Sequence, residues 1–360
     1  MATTIPLDPK LEMLALALDK GIGENDDQQS VTQWIDTGNP ELNRIISGSY
    51  DGGVPVGRLL ETFGESSTGK TAIATKCMVQ TQKMGGVAIF IDWERSFDVN
   101  LAEGFGLNTQ RPYWIYIKPK TWEEGNATAI RACQIIRRSK AIPDDAPILV
   151  VGDSIASAVP ESMLHDSKGN EREMDTYTMN DTTALARVTS TTLKVVAAKA
   201  EELNATFWYL NQMRLKPGVA FGDPRTTPGG KAMEFYASVR LALGRQKIMD
   251  KGADGEKEFV GQNITVQTVK NKLTRPFQEC DLRLMYDEIG CANFDHVAST
   301  LNLAIKKGWV NYSKPYVTWT DGKKYYEKAL AKHLNEQEDG LEQLKAFLPS
   351  EEKAVEEEAA

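Results

Sequence analysis

Residues Gly64, Glu65, Ser66, Ser67, Thr68, Gly69, Lys70 and Thr71 follow one another as G-x-x-x-x-G-K-T. This spacing suits phosphate binding. The glycines let the backbone wrap closely, so that successive N–H groups point at phosphate oxygens. Lys70 has the reach for the β- and γ-phosphates of a nucleotide, and the Thr71 hydroxyl is a hard oxygen ligand for Mg²⁺. The flanks fit the motif. Leu59 to Phe63 reads as a strand, and Ala72 to Val79 as a helix with neither Pro nor Gly. A helix starting here adds its positive dipole end to the anion site.

Downstream, several apolar strands end in polar groups. Ile148 to Asp153 ends in an acid, the position that supports Mg²⁺ and its waters in phosphate-loop enzymes. Ile89 to Glu94 ends in two acids. Glu94 is the candidate to orient or deprotonate an attacking water, with Asp92 competing for either role. Thr206 to Gln212 ends in two amides, and Gln212 can sense a γ-phosphate by hydrogen bonding. The loop from Met213 to Lys231 is long and rich in Gly and Pro. From Gln212 to Lys231, Arg214, Lys216, Arg225 and Lys231 stand against Asp223 alone, with the aromatic Phe221 among them. A mobile basic loop rooted at a γ-phosphate sensor can act as a switch and hold a nucleic-acid backbone. Lys270 and Lys272 flank Asn271 at another strand end and read as phosphate contacts or as a solvated surface pair.

These groups must be positioned by a scaffold. Strand-like runs at 87–92, 114–118, 148–153 and 206–211 alternate with helical patterns at 121–139 and 182–202, predicting an α/β fold with a mostly parallel sheet covered on both faces. Runs at 238–244, 263–270 and 281–285 follow without long helices and predict antiparallel extension of that sheet. Beyond Tyr286 the pattern changes to short helices and a hairpin around Tyr316–Tyr326, turning at Asp321-Gly322. Residues 5–20 carry an amphipathic helix with Leu11, Leu14, Leu16 and Leu18, too short to fold alone. The expected organisation is therefore 1–33 for this helix and a linker, 34–285 for the core, 286–348 for a small α+β C-terminal domain and 349–360 for an acidic tail.

The 360 residues carry a formal net charge of −8, which by itself argues against nucleic-acid binding. The distribution softens that objection, because the acids gather in the tail, where Glu351 to Glu358 holds five acids and one base. Cys77, Cys133, Cys280 and Cys291 form no C-x-x-C pair, so neither a zinc site nor a disulfide framework is indicated. No charged-then-apolar leader and no apolar run of bilayer length is present. The expectation is a reducing, cytoplasmic setting without membrane contact.

GESSTGKT, IFIDWE, LVVGDS, the run from Asn211 to Leu241 and VKNK occur in that order, and together they closely resemble the RecA recombinases of bacteria and their phage-encoded relatives. The run from Asn211 to Leu241 is the most specific, and it separates this family from helicases and circadian ATPases that share the core. The resemblance covers most of the chain and weakens across the C-terminal domain. It implies a RecA-type core that uses ATP and Mg²⁺, forms a helical filament on single-stranded DNA, and exchanges strands with homologous double-stranded DNA, nucleoid-associated or in a host cytoplasm if the gene is viral. Carried over by position, Gly64 to Thr71, Asp98 and Tyr286 bind nucleotide. Thr71 and Asp153 support the metal, and Glu94 is the general base. Gln212 is the γ-phosphate sensor. Lys270 and Lys272 reach ATP held by the neighbouring protomer, and Phe235 lies at that interface. The second DNA loop supplies Arg214, Leu215, Lys216, Gly218, Phe221, Gly222, Arg225, Thr226, Thr227, Gly229, Gly230 and Lys231, with Arg187 nearby. Glu161 to about Asp181 falls where the first DNA loop sits. The chain departs from the family at Gly152, where a larger residue is usual, at Leu101, where an aromatic often packs near the adenine, at Pro228, and in the length of the first loop. A hexameric helicase of the same core, and a DNA-binding scaffold with little turnover, are the alternative readings.

Overall fold

The computed structural model describes Met13 and residues 31–349, except 179–180, 182, 216–223, 252–255 and 288–289. Apart from Met13, the expected N-terminal helix lies outside the described residues, as do the tail acids and Lys216, Gly218, Phe221 and Gly222.

A short ladder of β1 (Trp34–Ile35) and β2 (Val54–Pro55) precedes the main sheet. That sheet has nine strands. In chain order they are β3 (Leu59–Gly64), β4 (Val87–Asp92), β5 (Trp114–Ile117), β6 (Ile148–Asp153), β7 (Ala205–Gln212), then, after the two-residue strands β8 (Arg214–Leu215) and β9 (Arg225–Thr226), β10 (Val239–Lys251), β11 (Lys257–Asn271), β12 (Glu279–Tyr286) and β13 (Ala292–Phe294). Their spatial order is β13-β12-β11-β10-β3-β7-β6-β4-β5. The six strands from β10 to β5 run parallel. β11, β12 and β13 extend the sheet antiparallel. The parallel core is as the pattern predicts, and the runs at 263–270 and 281–285 extend it antiparallel as expected. The run at 238–244 differs: β10 joins the parallel set beside β3, because the chain from β7 through the second loop and the short helix Ala232–Tyr236 crosses over before re-entering the sheet. β3, β4 and β6 are buried along their whole length, which is why β4 and β6 read as apolar runs up to their terminal acids rather than as alternating ones.

Two apolar layers cover the sheet. On one face lie the helix Lys70–Lys83, which contributes Ile73, Cys77 and Met78, and the helix Pro40–Ser47. On the other face the helices Trp122–Ser139 and Ala184–Glu202 bury Trp122, Ala129, Cys133, Leu193, Val196 and Ala200. The helix Trp122–Ser139 begins with a Thr-x-x-Glu cap. Thr121 Oγ1 accepts from the Glu124 N–H at 3.1 Å, and Glu124 Oε2 reaches back to the Lys120 N–H at 2.6 Å. Its first turn carries Glu123 and Glu124 and its last Arg137 and Arg138, the order the helix dipole favours.

Past β13 a third apolar cluster gathers Val297, Leu301, Val317, Trp319, Leu330, Leu334 and Leu344. It joins the helices His296–Lys307 and Glu327–Asn335 to a three-stranded sheet of β14 (Asn311–Ser313), β15 (Tyr316–Thr318) and β16 (Lys324–Tyr326). Asp321-Gly322 lies in the β15–β16 turn, as the sequence indicates. Among the described residues no helix is long and apolar enough to cross a membrane.

Candidate nucleotide and DNA site

The parallel strands bring their C-terminal ends to one side. Gly64 is in register with Gln212, and Asp92 with Asp153. The phosphate loop, Glu94 and the root of the second loop therefore share one crevice, where α/β folds hold ligands. A cavity of about 310 Å³ opens there. Ser66 to Ala72, Glu94, Asp153, Gln212 and Tyr286 line it, with Leu101 and Phe105 on one wall and Gln262 and Leu284 on another.

Two glycines shape the loop. Gly64 lies so close to β10 that a Cβ would stand 2.8 Å from the Leu243 carbonyl oxygen. Gly69 has φ +86°, and a Cβ there would meet the Ile264 side chain at 2.4 Å. Lys70 Nζ donates to the Glu65 carbonyl at 2.7 Å. Burial pushes the Lys70 ammonium below its ordinary pKa, against the opposing pull of Asp153 and Glu94. Thr71 Oγ1 donates to Asp153 Oδ2 at 2.7 Å. Burial, then repulsion from Glu94, holds the Asp153 carboxyl up at about 7, with Thr71 and Lys70 working the other way. A hydroxyl and a buried, poorly compensated carboxylate in contact are the hard oxygen donors a divalent cation favours, so Mg²⁺ fits this pair.

Glu94 and Asp92 separate clearly. Asp92 is 1% exposed, and its oxygens accept from the Arg95 N–H at 2.7 Å, the Phe97 N–H at 3.3 Å and the Tyr116 hydroxyl at 2.5 Å. It organises the turn after β4 and is absent from the cavity lining. Glu94 lines the cavity, with Oε1 accepting from Ser154 Oγ at 2.5 Å. Ser154 follows Asp153 directly at the end of β6, so one hydroxyl fixes the acid relative to Asp153. Asp98 instead caps the helix Val99–Gly104, accepting from the Leu101 N–H at 3.0 Å, and lines an adjoining space of about 170 Å³ that shares Thr71 and Asp153.

Lys270, Lys272 and Phe235 are brought together, but away from this cavity. Lys270 Nζ donates to the Phe235 carbonyl at 3.1 Å and Lys272 Nζ to the same oxygen at 3.2 Å. Burial, then repulsion from Lys272 and Arg240, lowers the Lys270 pKa to about 8. Neither lysine lines the cavity of its own chain. Phe235 is 69% exposed.

At the second loop, Arg214 and Leu215 pair with Thr226 and Arg225 as a small ribbon. Arg214, Leu215, Gly230 and Lys231 are exposed, and Arg187 is exposed on the helix Ala184–Glu202. Arg225 Nη2 donates to Gln267 Oε1 at 3.0 Å, and Thr226 is half-buried. Thr227 and Gly229 are buried, and a Cβ on Gly229 would meet Ile155 at 2.8 Å. These last two hold the loop root rather than its solvent face.

Sequence reasoning missed a buried network under the loop. Glu61, 0% exposed in β3, accepts from Asn211 Nδ2 at 2.8 Å and from Arg240 Nε at 2.6 Å. Asn211 Nδ2 also donates to the Pro228 carbonyl at 3.0 Å, so the strand carrying the phosphate loop is tied to the far end of the second loop. The available signal was a lone acid in the apolar run LLETF. Gln262, 2% exposed on the cavity wall, was missed as well, and a polar residue in the run FVGQ was its only mark.

The family model for the RecA N-terminal domain matches residues 19–291. The chain belongs to the RecA family. Among curated relatives it is 33% identical over 278 residues to "Protein RecA" of Leptospira meyeri, covering 75% of this chain and 65% of that protein. It is 34% identical over 285 residues to "Protein RecA" of Aquifex aeolicus, covering 78% and 75%. Over 336 residues it is 33% identical to that of Streptococcus pneumoniae, covering 91% and 79%. Membership brings nucleotide binding with it.

Proposed function

We propose that this protein is an ATP-dependent recombinase that assembles as a helical filament on single-stranded DNA and exchanges that strand with homologous duplex, in recombination and repair. The observation that carries the reading is the crevice itself. A complete phosphate loop, a Thr71–Asp153 pair, an acid fixed by Ser154 and an amide at the root of a basic loop all meet there.

In this reading Gly64 to Thr71 wrap the phosphates of ATP, with Lys70 leaving its Glu65 contact for the γ-phosphate. Leu101, Phe105 and Tyr286 form the apolar wall for the base. Thr71 and Asp153 hold Mg²⁺, which supplies charge neutralisation at the phosphate oxygens. Glu94 takes the proton of the attacking water. Gln212 feels the γ-phosphate and passes its presence into the loop it begins, where Arg214, Lys216 and Lys231 contact DNA phosphates. Lys270 and Lys272 complete the site of the adjacent protomer, with Phe235 at the contact. Nucleotide binding and assembly then reinforce each other. Backbone-directed contacts leave base pairing to test homology. Residues 34–285 form the ATPase and DNA-binding core, 1–33 the docking arm, 286–348 a small C-terminal domain and 349–360 the acidic tail. The protein works in the cytoplasm, at the nucleoid.

Strand exchange between a labelled single strand and homologous duplex tests the reading. Exchange that needs ATP and homology, and that is lost in Lys70→Ala, is expected. End-dependent unwinding without homology would move the assignment to a motor of the same core.

A further inference from the structure

Three of the strands that carry the site rest on one aromatic stack, on the opposite side of their ends from the cavity. Trp93 directly precedes Glu94. Its ring is stacked on Trp122, with centroids 5.0 Å apart and planes 24° from parallel, and Trp122 packs on Tyr209 at 5.4 Å. Trp93 directly follows β4, and Tyr209 belongs to β7, three residues before Gln212. The end of β6 is joined by backbone hydrogen bonds, because the Asp153 carbonyl accepts from the Trp93 N–H at 2.8 Å and the Glu94 N–H at 3.3 Å. Trp93 Nε1 donates to the Thr121 carbonyl at 3.0 Å.

Two glycines make room for the indole. A Cβ on Gly125 would stand 2.6 Å from Trp93 Cζ2. One on Gly152 would stand 2.8 Å from Trp93 Cζ3 and 3.0 Å from Tyr209. Gly152 is the position at which the chain departs from its family's larger residue, and the ring of Trp93 fills the space that residue would take. The stack is therefore a close-packed plug, and close-packed contacts transmit displacement rather than absorb it.

The far side of the plug leads to the first loop. Trp122 opens the helix Trp122–Ser139, and its N–H donates to the Val159 carbonyl at 2.8 Å. The Glu161 N–H donates to Glu123 Oε2 at 3.0 Å. Both acceptor and donor lie where the chain enters the segment Glu161 to Asp181. Trp122 Nε1 finds no acceptor among the described residues, so the indole is held for its ring and not for its hydrogen bond.

We propose that the Trp93–Trp122–Tyr209 stack is the positioning element that couples occupancy of the first loop to the hydrolytic carboxylate Glu94. It rests on the recombinase reading, because it needs DNA at that loop. Trp93 and Trp122 touch neither nucleotide nor DNA and act through Glu94 and the loop root.

The test is the ratio of turnover with poly-dT to turnover without it, measured for full-length chains with KM for ATP and thermal midpoint alongside. Trp122→Leu is expected to lower the ratio at least about fivefold with KM for ATP changed less than about twofold, as a lost coupling would. Trp122→Phe keeps a ring in the stack, drops the orphaned N–H and restores most of the ratio. Glu123→Ala cuts the tie to Glu161 from a half-buried position without opening the core, and lowers the ratio in the same direction. A ratio unchanged in folded Trp122→Leu and in Glu123→Ala would overturn the proposal. So would equal loss of both rates in step with the folded fraction. A wild-type chain with no stimulation by DNA would instead sink the recombinase reading, and the coupling with it.

Discussion

Asp153→Asn should make the nucleotide-free protein more stable while disabling it. The Asp153 carboxyl is held at about 7 against an ordinary 3.8, first by burial and then by Glu94. Because the folded-state value is the higher one, the folded chain keeps a proton that the unfolded chain releases. The associated stability is present below about pH 4 and is lost as pH rises through 7. At 1.36 kcal/mol per pH unit, the ionised carboxylate costs the empty fold on the order of 4 kcal/mol above pH 7, of which about 2–3 kcal/mol develops between pH 5 and pH 8. Asparagine keeps an oxygen for the Thr71 hydroxyl and carries no charge. Urea unfolding of both proteins at pH 5 and pH 8, without nucleotide or metal, reads the difference. The variant should gain at both values, and by about 2–3 kcal/mol more at pH 8. Millimolar Mg²⁺ should then raise the wild type at pH 8 and leave the variant unmoved. A gain that does not grow with pH, or a variant less stable than wild type at pH 8, would refute this account of the site.

Other consequences are as direct. Glu94→Gln should cut DNA-stimulated turnover by about 100-fold or more while equilibrium ATP binding persists. Arg240→Met leaves Glu61 buried without its partner and should cost about 3–5 kcal/mol in urea unfolding, most of it recovered by adding Glu61→Leu. Arg214→Ala should reduce the slope of log affinity for single-stranded DNA against log salt by about 0.7, with little change between base sequences. Removing the residues after Pro349 should speed loading onto duplex and weaken its Mg²⁺ dependence if the tail acids compete with DNA for basic surface. Unchanged loading would leave the tail a solubilising terminus.

Much of this was legible because it is local. Gly64 to Thr71 lies within one strand, turn and helix, and the helix needs only a run free of Pro and Gly after it. The buried parallel strands announce themselves as apolar runs, and their terminal acids follow at once. What remained hidden depends on partners far along the chain. Asp92 and Glu94 look alike in sequence, and the Tyr116 hydroxyl, 24 residues on, assigns the first to the turn. Glu61 meets Arg240 across 179 residues, so nothing near either one announces the pair. β13 joins the main sheet through a three-residue ladder too short to leave a periodic signal. Gly152 read as a departure, and became intelligible only with the Trp93 ring in the space it leaves.

The central claim is that the crevice hydrolyses ATP in response to single-stranded DNA bound along a filament. ATP hydrolysis with and without poly-dT, with the same samples viewed by negative-stain microscopy, tests it most directly. Turnover strongly raised by poly-dT, together with extended helical filaments, is the predicted result. Turnover indifferent to DNA, or discrete closed rings in place of filaments, would contradict it.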